Sequence, residues 1–193
     1  MDLISLFKTR RSYRKFDEGR KVPEEVIDSM KEAIRLSSSA GNTQELKYVF
    51  VCDKEKADKV FEHLRFAAYL PEEQGKPKVG ERPVMYVLVM KDKNKNLKWI
   101  NTDAGIAAAN MTLAAWEQGV GSCIIANMDR EDIAGILGID SGMEILFSIA
   151  FGYPLHRSEV VPLKEDGSIK YYVDEEMNYY VPKKAAEDII SII

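Results

Sequence analysis

The sequence predicts an α+β sandwich, a sheet covered on its faces by helices. Two patterns carry that expectation. Short β-branched and aromatic runs alternate with segments of helical period, and one segment, residues 101–119, is small or apolar on nearly every face. Length adds a third constraint: 193 residues can bury a core but are few for two catalytic domains, so 1–193 reads as one domain.

Taken in order, residues 2–9 form a short amphipathic helix with Leu3, Ile4, Leu6 and Phe7 available for packing. A second helix begins after Val22. Pro23 is its first residue, Glu24 and Glu25 suit its positive end, and Val26, Met30, Ala33, Ile34 and Ser37 recur on one face. Residues 48–52 and 83–90 are β-branched and aromatic runs that read as buried strands, with a helix over 54–68 between them. In the helix over 101–119, Asp103 fits the first turn and Gly119 the end. Its small residues imply enclosure by protein and close approach of another backbone. A strand (122–126), a helix (129–137) and another strand (144–151) follow. Beyond Gly152-Tyr153-Pro154 the chain turns polar, and its two Tyr-Tyr-Val runs read as a hairpin or an extended arm. A last helix over 185–192 carries isoleucines that need cover, from this chain's core or from a second subunit.

Composition excludes several classes of function. The net charge of −4 disfavours nucleic acid binding, and the longest apolar-leaning stretch is too short and too interrupted to span a bilayer. The N-terminus lacks the pattern of a secretory signal, so a cytoplasmic location is expected. Cys52 and Cys123 stand far apart, form no metal or disulfide pattern, and read as buried small hydrophobes. No metal site is expected. His63 and His156 are the only histidines, and no nucleophile–base arrangement accompanies them.

Four features can carry chemistry. Arg10, Arg11, Ser12 and Arg14 are either a solvated basic turn or a fork of donors for phosphate oxygens. The run 37–44, with Ser38, Ser39, Asn42 and Gln44, is what a helix uses to stop, and equally offers donors and acceptors to a polar heterocycle. Around Gly119-Val120-Gly121 and the strand to Ile125, Ala126 and Asn127, small residues leave room for a flat ligand against the backbone. Lys183 and Lys184 are surface lysines or help neutralise a phosphate.

In combination and in order, these features resemble the nitroreductase family. Arg-Arg-Ser-Tyr-Arg-Lys-Phe is similar to that family's Arg-Arg-Ser-x-Arg-x-Phe, and Ser38-Ser-Ala-Gly-Asn-Thr-Gln44 to its Pro-Ser-x-x-Asn-x-Gln. The small-residue helix with Gly119-Val-Gly-Ser-Cys123, then Phe151-Gly-Tyr-Pro154 and Val181-Pro-Lys-Lys184, resemble its central helix, last strand and C-terminal basic element. The sequence departs from the pattern at Ser38, at Glu45-Leu46 and at Asn127, where the family often has proline, Pro-Trp and glycine; lysines replace a terminal arginine.

The resemblance implies a nitroreductase-like three-layer sandwich with a mixed or antiparallel central sheet and an extended C-terminal arm. It implies a homodimer with FMN at the subunit interface and NADH or NADPH as reductant. The small-molecule acceptor would be a nitroaromatic, a quinone or a related compound. Arg10, Arg11, Ser12 and Arg14 would hold the phosphate and part of the ring, and Lys183 and Lys184 would complete the phosphate pocket. Ser38, Ser39, Asn42 and Gln44 would reach the flavin from the partner subunit, and Ile125, Ala126 and Asn127 would lie near its reactive edge. The same flavin fold also serves specialised reactions such as dehalogenation or dehydrogenation, or binding without turnover.

Overall fold

The computed structural model describes residues 2–193. In chain order it forms α1 (Leu3–Thr9), α2 (Glu24–Arg35), β1 (Lys47–Val51), α3 (Lys54–Glu62), the single turn α4 (Glu72–Gly75), β2 (Met85–Asp92), α5 (Ile100–Glu117), β3 (Gly121–Ile125), α6 (Arg130–Leu137), β4 (Met143–Gly152), β5 (Ser158–Pro162), β6 (Tyr172–Val173) and β7 (Tyr179–Lys183). Local chemistry sets several of the boundaries. Asp2 accepts the Ser5 amide and Asp53 the Lys56 amide, each satisfying a donor that the first helical turn leaves open. Gly119 and Gly138, both at positive φ, let the chain leave α5 and α6.

Strands β1, β2, β4 and β3 form one antiparallel sheet in that order, and β2 shows how it is buried on both sides. Its side chains alternate between two cores. Tyr86, Leu88 and Met90 join Val60, Phe61 and Ile133 of α3 and α6, whereas Met85, Val87 and Val89 join Val26, Met30, Ala104 and Met111 of α2 and α5. These are the three layers that the sequence predicts. At roughly 1.5–3 kcal/mol per large apolar side chain removed from water, the two cores dominate stability. A register shift between Val89 and Met90 leaves Leu146 as the extra residue on β4.

Helix α5 is enclosed on the face carrying Ala104, Ala107, Ala108, Met111 and Ala115, and packs there on α2 and the sheet. Gly105 remains exposed, and Ile106, Ala109 and Leu113 are half-buried. No helix among the described residues is long and apolar enough to cross a membrane.

The structure corrects several sequence expectations. Pro23 is the cap of α2 rather than its first residue. Helix α3 stops at Glu62 because the chain turns to pair Leu64 with Met128 and then reaches Ala67 at positive φ, so the helix expected to 68 ends early. Cys52 is exposed; only Cys123 is buried. The expected terminal helix is a 3-10 turn at Ala186–Asp188, and Ile189, Ile190, Ile192 and Ile193 lie open. The Tyr-Tyr-Val runs form the hairpin that the sequence offers as one alternative, β6 antiparallel to β7, rather than a free arm. Strand β7 pairs in parallel with β5, a strand the sequence did not announce, and antiparallel with β6.

Two glycines permit the closest packing around the N-terminal segment. A Cβ on Gly152 would lie 2.8 Å from the Phe16 Cβ, and one on Gly121 would lie 2.6 Å from Pro154 and 2.9 Å from the Tyr13 ring. The space at Gly121 that the sequence reserved for a flat ligand is therefore filled by the chain's own Tyr13 and Pro154. Overpacking of this kind costs about 1–3 kcal/mol. Gly152→Ala is expected to lose stability in that range in urea denaturation, against fully buried Phe16.

Candidate functional site

Residues 12–17 run along the sheet and tie its edge to the chain beyond β4. Ser12 bridges Ser122 on the edge strand β3, and Tyr13 donates its amide to the Ser122 carbonyl. On the other side Asp17 donates to Tyr153, Leu155 donates to Lys15, and Phe16 bridges Pro154. Isolated bridges at Ser12 and Phe16 therefore tie the segment down near both ends.

What it fixes is a cluster of cations. Arg10, Arg11, Ser12 and Arg14 line a cavity of about 260 Å³, completed by Tyr171, Val181 and Lys183 from the C-terminal sheet. No acidic residue lines it, and among the described residues none of these four cations has a carboxylate partner. The Nε atoms of Arg10 and Arg11 are buried with no hydrogen-bond partner. Burial pushes both guanidinium pKa values down, and Arg10 lowers that of Arg11 further. Arg11 spends one amino group on the Phe7 carbonyl. Arg14 lies against two tilted aromatic faces, 4.4 Å from the Tyr171 centroid and 4.8 Å from that of Tyr179. Desolvated donors without an acceptor are costly unless an anion satisfies them. The donor set, with the Ser12 hydroxyl at its mouth, fits a phosphate group.

A second cavity, of about 140 Å³, holds Ser37, Ser38, Ser39, Gln44, Tyr48 and Asp103 among its lining residues. It shares no residue with the first. The serine run is pinned to α5: buried Asp103 accepts the Ala40 amide at 2.9 Å, and the Asn110 side chain donates to the Ser37 hydroxyl at 2.9 Å. Burial and the neighbouring Asp103 charge push Tyr48 up to about 12, so it stays a neutral donor. Hydroxyls, an amide and a carboxylate around one small space suit a polar, uncharged heterocycle.

The remaining expected site residues lie elsewhere on this chain. Asn42 is exposed at positive φ and lines neither cavity. Lys184 is exposed and borders a groove with Val160 and Asp188. Ile125 is buried in the core against α3 and α6. The carbonyls of Ala126 and Asn127 are taken by Arg130 and by the Arg65 amide. Sequence reasoning missed Tyr171, and it marked Val181 only as part of the Val-Pro-Lys-Lys motif, not as a residue lining the cavity. It also read Asp103 only as a first-turn acid, not as the anchor of the serine loop.

Both histidines are engaged. His63 Nδ1 lies 3.3 Å from Asp132 and 3.8 Å from Asp129, whose carboxylate also pairs with Arg65 at 3.1 Å. His156 accepts the Arg14 amide at Nε2, 3.0 Å away, and its Nδ1 faces the Arg157 carbonyl at 2.8 Å. Neither offers a free base to a cavity.

Against known proteins, the nitroreductase family model matches residues 7–153. A protein from Methanothermobacter thermautotrophicus, provisionally named an NADH dehydrogenase/NAD(P)H nitroreductase, is 31% identical over 160 residues, which cover 80% of this chain and 78% of that one. Among solved structures, an FMN-dependent nitroreductase from Clostridium difficile R20291 is 27% identical with a TM-score of 0.65, covering 81% of this chain and 90% of that one. An iodotyrosine deiodinase bound to FMN and 3-iodo-L-tyrosine shares the fold, with a TM-score of 0.68 at 20% identity, covering 85% of this chain and 96% of that one.

The Asp103 anchor can be tested directly. Asp103→Ala strands the Ala40 amide and should cost about 1–3 kcal/mol, with faster proteolytic cleavage within residues 38–45. Asp103→Asn keeps an acceptor and should cost less in the same urea denaturation and proteolysis assays.

Proposed function

Because the chain belongs to the nitroreductase family, we propose that it is an FMN-dependent oxidoreductase. It uses NADH or NADPH to reduce nitroaromatic, quinone or related small acceptors, which occupy the site in turn in a ping-pong order. The observation that carries this reading is the acid-free cation cavity, in which two buried guanidinium Nε atoms lack acceptors. Arg10, Arg11, Ser12 and Lys183 would hold FMN by its phosphate, and the bound flavin would supply the hydride-transfer chemistry between nicotinamide and acceptor.

The chain's own residues bind and orient. Arg10, Arg11 and Lys183 neutralise the phosphate, and the Ser12 hydroxyl adds a donor. Arg14 is fixed by two tyrosine rings, so its charge faces the ligand without side-chain reorganisation. No side chain is asked to act as nucleophile or general base, in keeping with His156, whose two ring nitrogens face backbone groups, and with His63, whose Nδ1 faces Asp132.

The serine cavity lies apart from the cation cavity within one chain. In the reading we favour, Ser38, Ser39, Asn42 and Gln44 complete the flavin site of a second copy in a two-fold homodimer. The half-buried side of α5 and the open Leu3, Ile4 and Phe7 of α1 offer the apolar surface such a dimer buries.

Purified protein should be yellow, or become so on adding FMN, and should bleach under anaerobic NADH or NADPH. A colourless protein that cannot be reconstituted contradicts the reading; a bound flavin that neither nicotinamide reduces leaves binding without turnover. Arg10→Ala removes a charge-assisted contact worth about 1.5–3 kcal/mol, so FMN affinity should fall about 10–100-fold in fluorescence titration, with near-native thermal stability.

A further inference from the structure

Strand β7 and the residues around it supply half of the cation cavity, yet they meet the N-terminal arginines through few polar links. One of those links is a side chain. Where Phe16 and Lys15 pair with Pro154 and Leu155 through backbone, the next amide along, Arg14 N–H, is taken by the His156 ring at 3.0 Å. An accepting Nε2 requires the proton on Nδ1, which is donated to the Arg157 carbonyl at 2.8 Å. Arg157 in turn accepts the Tyr179 amide through that same carbonyl, at the start of β7. The ring is also packed between Tyr13, at 5.4 Å, and Tyr179, at 4.6 Å, and Tyr179 is one of the two rings against Arg14.

We propose that His156 is a positioning residue of the cation cavity: its neutral ring couples the backbone of Arg14 to the start of β7 and so holds Arg14, Tyr171 and Lys183 around one ligand. The proposal rests on reading that cavity as the flavin-phosphate site. A doubly protonated imidazolium has no acceptor to offer the Arg14 amide, so the link exists only in the neutral form.

The surroundings oppose protonation. From the N-terminal segment the ring faces the cations Arg14 and Lys15 and the Tyr13 ring; from β7 it faces Tyr179; the acid within range is Glu81, which Lys15 engages at 3.3 Å. Burial, more than those cations, pushes the His156 pKa down from its ordinary 6.5 to about 4. A depressed folded value means that the neutral ring's contribution is complete above about pH 6.5 and is lost as pH falls toward 4. When the C-terminal sheet detaches, His156 regains its ordinary value, so detachment should be about 30-fold more frequent at pH 5 than at pH 7.5.

The test is hydrogen exchange of residues 171–183 in the full-length protein at pH 7.5 and pH 5, corrected for intrinsic rates, together with FMN titration at both. In the wild-type protein, protection of these amides should fall about 30-fold on acidification. His156→Gln, a neutral acceptor that does not titrate, should restore protection at pH 5 and flatten the profile. His156→Leu, which keeps bulk but no acceptor, should exchange fast at both pH values. FMN affinity should weaken more with acid in wild type than in His156→Gln, whose ligand phosphate titrates identically. Equal pH profiles in wild type and His156→Gln would overturn the proposal. Absence of FMN binding at every pH, with exchange still following His156, overturns the flavin reading and leaves the coupling standing.

Discussion

Four positive side chains that share one cavity without an acid between them set the terms for the rest of this molecule. Arg10, Arg11, Arg14 and Lys183 repel one another, and two of their donors are buried without acceptors. Such an arrangement persists only if the surrounding fold holds it more firmly than the charges push it apart. Here the holding comes from two directions. Residues 12–17 pair with the sheet edge and with residues 153–155, and the C-terminal sheet closes from the far side with tyrosine rings that tolerate a cation. The double-cored central sheet gives that frame its rigidity, because β2 is locked on both faces.

The same frame separates two chemistries. The cation cavity presents positive charge; the serine cavity, pinned by Asp103 to the most buried helix, presents hydrogen-bonding groups. A flavin mononucleotide presents both demands, an anionic end and a polar uncharged ring. Two cavities that share no residue within one chain are what a two-fold assembly would bring together around one ligand.

Much of this was legible in the sequence. Arg10, Arg11, Ser12 and Arg14 read alone as a solvated turn or a phosphate fork, and only their combination with the serine run, the small-residue helix and the terminal lysines marked them as a site; β2 and α5 were marked by patterns of apolar residues long enough to leave little choice. The three-layer arrangement followed from the alternation of those elements. What was not legible depends on contacts between distant segments. Tyr171 leads into β6, which pairs with β7, and β7 is joined in turn by β5, whose sequence Ser-Glu-Val-Val-Pro carries no strong strand signal and is largely exposed. The terminal isoleucines suggested a helix, yet a helix needs a partner surface for its apolar face, and among the described residues these isoleucines stay exposed. Gly121 looked like room for a ligand because a sequence does not show that Tyr13 and Pro154 fill the space.

If the cation cavity serves to hold a phosphate group, the arginines should discriminate between flavins by that group alone. A comparison of FMN with riboflavin, which lacks only the phosphate, tests it most directly. Isothermal titration at pH 7.5 and moderate salt should show FMN bound at least about 100-fold more tightly, the equivalent of two charge-assisted contacts. Equal affinity for the two flavins would contradict the account, because the arginines would then contribute nothing to recognition.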